Sequence, residues 1–304
     1  MNKKKRYHKP VMLKKSISSL MIKPNGIYLD LTFGGGSHSK EILSKLKSGK
    51  LISFDRDPDS IHIAKLIQHS SFIFINNNFK FIKSLLKDKI IGKIDGIIAD
   101  LGTSSYQLDN PRRGFSIKKN SLLDMRLNQL KKNTAAGILN QYDKNNLKEM
   151  FIKNSNIINN KLLIKYIIIY RFYKKINTTN DLIKIISKIS PKKNKFKYYA
   201  KIFQAIRMES NNELESLREM IKQSVEILKK NGRLVVISYH SLEDRVIKNF
   251  FKKGNFLNKI KKDFYGNKIR PFDPINQKPI LPSIKEVRNN NRSKNAKLRI
   301  AKKR

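Results

Sequence analysis

The chain has 304 residues, a length that allows one large α/β domain with an insertion, or two domains. Its 66 Lys and Arg against 23 Asp and Glu give a formal charge of +43, which predicts a polyanionic partner, most simply nucleic acid. The chain is also rich in Lys, Asn and Ile, as AT-rich codon drift produces, and drift is the alternative explanation for part of the lysine charge. The absence of cysteine excludes disulfides and thiolate metal sites.

Neither the basic N-terminal segment nor the most apolar run of the chain has the pattern of a targeting or membrane signal. The basic start, Met1–Arg6, is followed by no apolar region of the kind that a signal peptide needs. The most apolar run, Leu162–Tyr170, is too short to span a bilayer and is interrupted by Lys165. We therefore expect a soluble, cytoplasmic protein.

The first predicted strand, Ile27–Leu31, leads through a glycine-rich turn into a helix that begins near Lys40. The turn belongs to the segment Asp30–Ser39, and its glycines let backbone N–H groups and a helix N-terminus approach a ligand closely. A second strand, Leu51–Phe54, ends at Asp55, about 20 residues further on, where an acid can accept both hydroxyls of a ribose. This unit predicts a site for a nucleoside-bearing cofactor.

The glycine spacing indicates which cofactor. A dinucleotide site uses G-x-G-x-x-G, in which the third glycine allows close helix–strand packing below a pyrophosphate. Here Gly34 and Gly36 are present, but Ser39 occupies the third position. The pattern favours S-adenosylmethionine, which has no pyrophosphate. The alternative is a tight strand–helix turn that binds no ligand.

Strands and helices continue to alternate as far as Asp100. The next predicted elements are a helix over Asp57–Ile67, a strand over Ser71–Ile75, a helix over Lys80–Lys87 and a strand over Ile94–Ala99. Alternation of this kind, with apolar strands, predicts a doubly wound and mostly parallel sheet.

The pattern changes in the middle of the chain. From about 107 to 205 the periodicity is helical, and a helix over Asn212–Lys229 and a strand over Arg233–Ser238 then resume the α/β pattern. We predict a first domain part over 1–107, a helical substrate-binding insertion over 108–205, and a second domain part with a basic tail over 206–304.

Five predicted strands end in residues suited to one site. In open α/β sheets the ligand lies beyond the carboxyl ends of the strands. Those ends are Asp30–His38, Asp55, Phe79, Asp100–Gln107 and Ser238–Ser241.

The segment Asp100–Gln107 lies where a methyl acceptor would meet the cofactor. The exocyclic amine of a nucleobase is a weak nucleophile, because its lone pair is delocalised into the ring. A carboxylate or carbonyl that accepts its N–H restores electron density. Asp100, or the turn after it, is the candidate for this role, and Tyr106 is placed to stack a base. The alternative gives Asp100 only a capping role.

Two segments near the C-terminus carry weaker signals. Ser241–Asp244 fits an N-terminal capping box, and His240 beside it is as consistent with structure as with function. No second cluster completes a metal site there, so we predict no metal. The tail Asn289–Arg304 combines cations with Asn donors and predicts a grip on phosphates, with a solvated terminus as the alternative. Ala296–Ala301 can form a final edge strand.

Motifs spread almost from end to end carry a resemblance to a known family. They are His8–Leu13, Asp30–Ser39, Asp55–Pro58, Asp100–Ser105, Gln107–Asp109, Arg113–Ser116, Leu123–Arg126, Phe203–Arg207, Asn211–Leu214, Gly232–Arg233, Ile237–Arg245 and Leu298–Ala301. Together they resemble the bacterial 16S ribosomal RNA (cytosine-N4)-methyltransferases. The resemblance implies a class I, Rossmann-like methyltransferase domain interrupted by a helical substrate domain. It implies S-adenosylmethionine-dependent methylation of N4 of a cytidine in the decoding region of 16S rRNA.

The resemblance also implies site residues and a partner, the small ribosomal subunit. The cofactor contacts are Gly34, Gly36, Ser37, His38, Asp55, Phe79, Asp100 and Gln107, with Asp100 as the candidate catalytic residue. The expected RNA contacts are Tyr106, Arg113, Arg207, His240, Arg292, Lys294 and Arg299.

The chain departs from the family pattern at several positions. Ser37 replaces a glycine and Tyr106 replaces a proline. The segment Ser155–Ile158 loses two acids and an arginine of the family, whereas in Asn290–Asn295 Lys294 keeps a charge but loses the bidentate phosphate geometry of arginine. Most departures lie in the insertion and the tail. Two alternatives stay open, the first because the insertion is altered and the second because the fold does not identify the substrate. One is a non-catalytic ribosome-assembly factor that clamps RNA, and the other is a methyltransferase acting on DNA or transfer RNA.

Overall fold

A computed structural model describes residues 10–86, 90–130 and 132–304. The start of the His8–Leu13 motif, the segment Met1–Arg6 and the end of the predicted helix Lys80–Lys87 lie outside the described residues. The chain divides into two compact units, and the first of them runs to Gly102 and resumes at Glu215. The second unit is Thr103–Leu214, and the predicted insertion, 108–205, lies within it.

The first unit is built on one seven-stranded sheet, in the order β3-β2-β1-β4-β5-β7-β6. The strands are β1 (Ile27–Asp30), β2 (Lys50–Phe54), β3 (Phe72–Ile75), β4 (Ile94–Asp100), β5 (Leu228–Ser238), β6 (Phe272–Pro274) and β7 (Lys297–Lys303). β1 to β5 pair in parallel, whereas β7 runs antiparallel to both β5 and β6. The predicted doubly wound, mostly parallel sheet is therefore confirmed.

Helices cover both faces of this sheet, because successive strand residues point to opposite sides. The helices are α1 (Leu13–Leu20), α2 (Ser37–Leu43), α3 (Ile61–Lys65), α4 (Ile82–Leu85), α11 (Glu213–Ile227), α12 (Ser241–Lys253) and α13 (Ile284–Asn289). On β4, Ile97 and Ala99 belong to the core formed with α11 and α12, and Ile98 to the core formed with α1 and α2. Burial on both faces explains why these strands read as continuous apolar runs.

The second unit is helical. Its helices are α5 (Ser105–Asp109), α6 (Ala135–Gln141), α7 (Lys144–Ser155), α8 (Lys161–Tyr173), α9 (Thr179–Ser187) and α10 (Lys195–Ser210). They surround a separate apolar core. Side-chain caps define several helix starts: Thr134 accepts from the Gly137 amide, and Thr178 and Asp181 form a capping box. Among the described residues, no helix is long and apolar enough to cross a membrane.

Four sequence predictions of local structure were wrong. The helix predicted over Asp57–Ile67 is a 3-10 turn followed by the short α3, since Asp57 caps the turn and Pro58 starts it. β5 begins at Leu228 instead of Arg233, with a register shift opposite Ile94 and Gly96.

The other two errors concern the C-terminal part. The strand predicted at the sheet edge is β7, and it lies between β5 and β6. β6 has three residues, too few for a periodic pattern to show. The predicted capping box at Ser241 is absent, because His240 is the N-cap and forms no side-chain cap bond. Instead, the carboxylate of Glu243 accepts a hydrogen bond from the Tyr239 amide at 3.1 Å.

Candidate active site

The glycine turn lies between β1 and α2. Gly34 and Gly36 have φ values of 51° and 74°, in the left-handed region that favours glycine. A Cβ on Gly36 would lie 2.9 Å from the Phe33 ring, whereas in the described structure a Cβ on Gly34 would meet only the Thr32 carbonyl, at 3.9 Å. The backbone at Gly34 therefore has open space beside it. Ser37 is the first residue of α2 and has no positive φ, so the missing family glycine introduces no backbone strain.

Asp55 joins the end of β2 to this turn. Its Oδ2 accepts a hydrogen bond from the Gly34 amide at 2.7 Å, and its Oδ1 accepts one from the Asp57 amide at 2.9 Å. Burial raises the pKa of Asp55 to about 6, although the bonds from Asp57 and Gly34 favour its ionised form. A carboxylate oxygen has two lone pairs, so each oxygen can accept one hydroxyl in addition. Asp55 is thus oriented to accept two hydroxyl donors.

Asp30, the last residue of β1, stabilises the glycine turn through hydrogen bonds. Its Oδ2 accepts a hydrogen bond from the Ser39 hydroxyl at 2.6 Å, and Ser39 also lies 2.8 Å from the hydroxyl of Ser53 on β2. The Thr32 amide donates to Oδ1 at 3.1 Å. Burial raises the pKa of Asp30 to about 6. Ser39, where a dinucleotide site has glycine, therefore has a structural role in this turn.

Asp100 ends β4 and is bound by two neighbouring strand ends. Its backbone amide donates to the Thr32 hydroxyl at 2.6 Å, and the Tyr239 hydroxyl donates to its Oδ1 at 2.8 Å. Gly102, with φ of 106°, allows the chain to pass over the Tyr239 ring, which a Cβ would approach to 3.3 Å. No hydrogen bond to Oδ2 forms within the described residues. One carboxylate oxygen, Oδ1, is thus held by Tyr239, and Oδ2 can accept a further hydrogen bond.

The charge state of Asp100 depends on its surroundings. Burial raises the pKa of Asp100 to about 7, the hydrogen bond from Tyr239 lowers it, and the carboxylates of Asp30, Glu243 and Glu286 raise it. The same environment raises the pKa of Tyr239 well above 10, through burial first and then the charge of Asp100. Tyr239 therefore stays protonated and donates to Asp100 throughout the neutral range. From the sequence, Tyr239 was included only within the strand end Ser238–Ser241 and the motif Ile237–Arg245, and no role was predicted for it.

The remaining predicted cofactor contacts have different environments. His38 is buried on α2, where burial lowers its pKa to about 4, and its Nε2 has no hydrogen-bond partner among the described residues. Phe79 begins a 3-10 turn after β3 and packs partly against the core. Gln107 belongs to the second unit, where its Oε1 accepts from the Ser104 amide at 2.9 Å as part of a capping box.

The structure corrects three of the predicted RNA contacts. Arg113 is 2% exposed, and its guanidinium donates to the carbonyls of Arg126 and Leu127 at 3.1 and 2.9 Å. Arg207 is mostly buried and pairs with Glu213 at 2.9 Å. Arg299 is buried on β7, where its Nε and Nη2 donate to the carboxylate of Asp244 on α12. These guanidiniums hold protein groups, so their roles are structural, contrary to prediction.

The other expected RNA contacts differ in exposure. Tyr106 on α5, and Arg292 and Lys294 in the 3-10 turn Asn291–Asn295, are exposed. The side chain of His240 is mostly buried, with Nε2 lying 3.1 Å from Glu243 Oε1 but without the angles of a hydrogen bond. For these four residues the predicted RNA contact stays a prediction.

The role assigned to Arg299 predicts a large effect on stability. We expect Arg299→Ala to lower the free energy of unfolding by about 3–5 kcal/mol, because it leaves the Asp244 carboxylate buried without its main partner. Lys294→Ala, at an exposed position of the same segment, should leave the free energy of unfolding unchanged. Urea unfolding of both variants measures this. Equal stability of the two variants would contradict the structural role.

The sheet order, the reversed β7 and the glycine turn followed by an acid at the end of β2 define a class I methyltransferase fold, as predicted. The sequence model of the MraW methylase family matches residues 5–304. The chain therefore belongs to the MraW methylase family. The predicted enzyme class, a methyltransferase that uses S-adenosylmethionine, is confirmed by this membership.

Individual relatives are similar in sequence to this chain over nearly its whole length. The ribosomal RNA small subunit methyltransferase H of Cytophaga hutchinsonii is 46% identical over 97% of this chain and 99% of the relative. The proteins of the same name from Amoebophilus asiaticus and Flavobacterium johnsoniae are also 46% identical, over 97% and 98% of this chain and 95% and 98% of their own lengths.

Proposed function

We propose that the chain transfers a methyl group from S-adenosylmethionine to N4 of a specific cytidine in the decoding region, the P site, of 16S rRNA. The observation that carries this proposal is the 46% identity, over 97% of the chain, to a ribosomal RNA small subunit methyltransferase. The small ribosomal subunit is the expected partner, and the cytoplasm is the expected location.

The residues of the glycine turn and β2 fit S-adenosylmethionine. The open space at Gly34 accommodates the methionine end beside the turn Gly34–His38, and the oriented oxygens of Asp55 accept the two ribose hydroxyls. Phe79, at the end of the next strand, offers an aromatic face to the adenine. When bound, S-adenosylmethionine supplies a methyl group activated by its sulfonium. Side chains of this protein orient the acceptor amine and accept its proton.

Asp100 is the residue that activates the acceptor. The N4 lone pair of cytosine is delocalised into the ring, so the amine attacks well only when a carboxylate accepts its N–H. The Oδ2 of Asp100 performs this role, while the bond from Tyr239 fixes Oδ1 and so the orientation of the carboxylate. The same Oδ2 accepts the proton that the amine loses on methylation. We therefore assign Tyr239 as a positioning residue for Asp100.

A transfer assay tests the proposed function. Labelled S-adenosylmethionine is supplied with small ribosomal subunits from cells that lack the endogenous enzyme, and the labelled nucleotide is mapped. We expect N4-methylcytidine at one decoding-region position. Cofactor binding without transfer to any ribosomal substrate would instead support the RNA clamp. Competition by DNA or transfer RNA at fixed salt would support a different acceptor.

The pH dependence of transfer tests the pairing of Asp100 with Tyr239. Only the ionised carboxylate can both accept N4–H and take up its proton, so we expect the rate to rise as the pH increases through the Asp100 pKa of about 7, and then to level off. Tyr239→Phe removes a donor that stabilises the ionised form, so the midpoint should move to higher pH. The matched control is Tyr142→Phe, which removes the hydrogen bond from a tyrosine to Glu209 in the second unit. An unchanged midpoint in Tyr239→Phe would contradict the positioning role.

A further inference from the structure

A β-hairpin with an aromatic tip follows α12, and we call residues 261–269 the aromatic hairpin. Its two arms are joined by hydrogen bonds from the Ile269 amide to the Lys261 carbonyl and from the Asp263 amide to the Asn267 carbonyl, both at 2.9 Å. Lys262 and Lys268 face each other as an antiparallel bridge pair. The residues of the aromatic hairpin are all exposed.

The tip is held by polar groups alone. The Oδ1 of Asp263 accepts hydrogen bonds from the amides of Tyr265 and Asn267 at 3.0 and 2.8 Å, and its Oδ2 accepts one from the Asn267 side chain at 3.2 Å. Gly266 has φ of 82°, which the tight turn requires. Because no aromatic ring takes part in these bonds, the turn keeps its shape whatever the rings contact.

The two rings at the tip are free for a partner. Phe264 is 97% exposed and Tyr265 is 87% exposed, and the rings meet edge to face with their centroids 5.6 Å apart. Rings this exposed contribute almost no burial to folding. Adjacent exposed aromatic residues on a structured turn are typical of an interaction surface.

The charge of the hairpin indicates the kind of partner. Lys259, Lys261, Lys262 and Lys268 are exposed on or next to its arms, and no carboxylate in the described part of the chain forms an ion pair with them. The single acid of the hairpin, Asp263, accepts bonds from the turn's own N–H groups. Exposed aromatic faces among unpaired cations are the combination that binds single-stranded nucleic acid, since the bases stack and the phosphates pair.

We propose that the aromatic hairpin binds unpaired nucleotides of ribosomal RNA, with Phe264 and Tyr265 stacking on bases and the flanking lysines contacting phosphates. The identity of the RNA rests on the proposed function, whereas the stacking itself rests on the hairpin. This surface would hold the substrate in addition to the site at the strand ends.

The absence of tryptophan from the chain allows a direct test of stacking. In Phe264→Trp the new indole is the sole tryptophan, and we expect its fluorescence to be quenched when a single-stranded fragment of 16S rRNA is added. Unchanged fluorescence at RNA concentrations that saturate binding would overturn the proposal. Quenching by anionic lipid vesicles but not by RNA would overturn it as well, in favour of a membrane surface.

Affinity measurements separate stacking from charge. Replacing both rings (Phe264→Leu with Tyr265→Leu) keeps apolar side chains but removes the aromatic faces, and we expect the Kd for the RNA fragment to rise at least tenfold. The salt dependence of Kd should stay the same in that variant, whereas Lys261→Gln with Lys262→Gln should reduce its slope by about 0.7 for each lysine lost. Leu257→Ala, at an exposed position before the hairpin, serves as the control and should bind as the wild type does. Wild-type affinity in the double leucine variant would contradict stacking.

The same samples distinguish this inference from the proposed function. Wild-type protein that binds RNA through the hairpin but methylates no ribosomal substrate would contradict the proposed function and support the hairpin. Methylation of 16S rRNA by the wild-type protein, together with unquenched fluorescence of Phe264→Trp, would support the proposed function and contradict the role of the hairpin.

Discussion

Asp100→Asn is expected to lower the rate of methyl transfer by about 10²–10⁴-fold, the range for loss of a positioned proton acceptor. An asparagine oxygen can still accept the bond from the Tyr239 hydroxyl, so the local geometry should be retained. The amide cannot take the proton that the amine loses. Single-turnover transfer from labelled S-adenosylmethionine to small subunits measures the rate.

Binding experiments make this result specific. The Asp100→Asn protein should bind the RNA substrate with wild-type affinity and unfold cooperatively, because neither the tip of the aromatic hairpin nor the apolar core changes. An Asp100→Asn variant with wild-type activity would remove Asp100 from the mechanism, and the turn after it would become the candidate.

Asp55→Ala is expected to weaken the binding of S-adenosylmethionine by about 10²-fold or more. Two charge-assisted hydrogen bonds to the ribose hydroxyls would be lost, each of about 1.5–3 kcal/mol. The amides of Gly34 and Asp57 would also lose their acceptor, which loosens the turn that receives the methionine end. Isothermal titration with S-adenosylmethionine measures this Kd.

Replacement of an exposed glutamate, Glu41, serves as the control for the effect of Asp55→Ala on cofactor binding. Glu41→Gln removes an exposed carboxylate from α2. In the wild type this carboxylate forms an ion pair with Lys45, with 3.7 Å between the charged atoms. We expect that variant to bind S-adenosylmethionine normally. Equal affinity of Asp55→Ala and Glu41→Gln for the cofactor would show that the ribose is held elsewhere.

Proton linkage at Asp55 and Asp100 should also affect stability. Both have a pKa raised by burial in the folded chain, so ionising them costs folding free energy. In the absence of ligand, the stability that these two carboxyls contribute is fully present below the unfolded pKa of about 4 and is lost as the pH rises through their folded pKa values of about 6 and about 7. This cost comes from burying a charged carboxylate, and a ligand that donates hydrogen bonds to it would offset the cost.

The parallel sheet and its cofactor turn could be read from the sequence because they are local. Apolar runs separated by helical periods indicated the first four strands, and Gly34, Gly36 and Asp55 were found from their spacing. The left-handed φ at Gly34 and Gly36 is a property of single residues, so the residue type already indicates it. The excess of cations, likewise, needs no fold to predict a nucleic-acid partner.

Contacts between distant segments could be decided only by the tertiary structure. Tyr239 and Asp100 are 139 positions apart, and they meet because β4 and β5 pair in parallel and end together. Arg299 looked like one more cation of a basic tail, yet β7 enters the sheet between β5 and β6 and buries its guanidinium against Asp244. Sequence alone determined which residues were chemically able to act, because residue type and short-range spacing are local. Which of them face a ligand and which hold the fold depended on burial, and burial is set by packing across the whole chain.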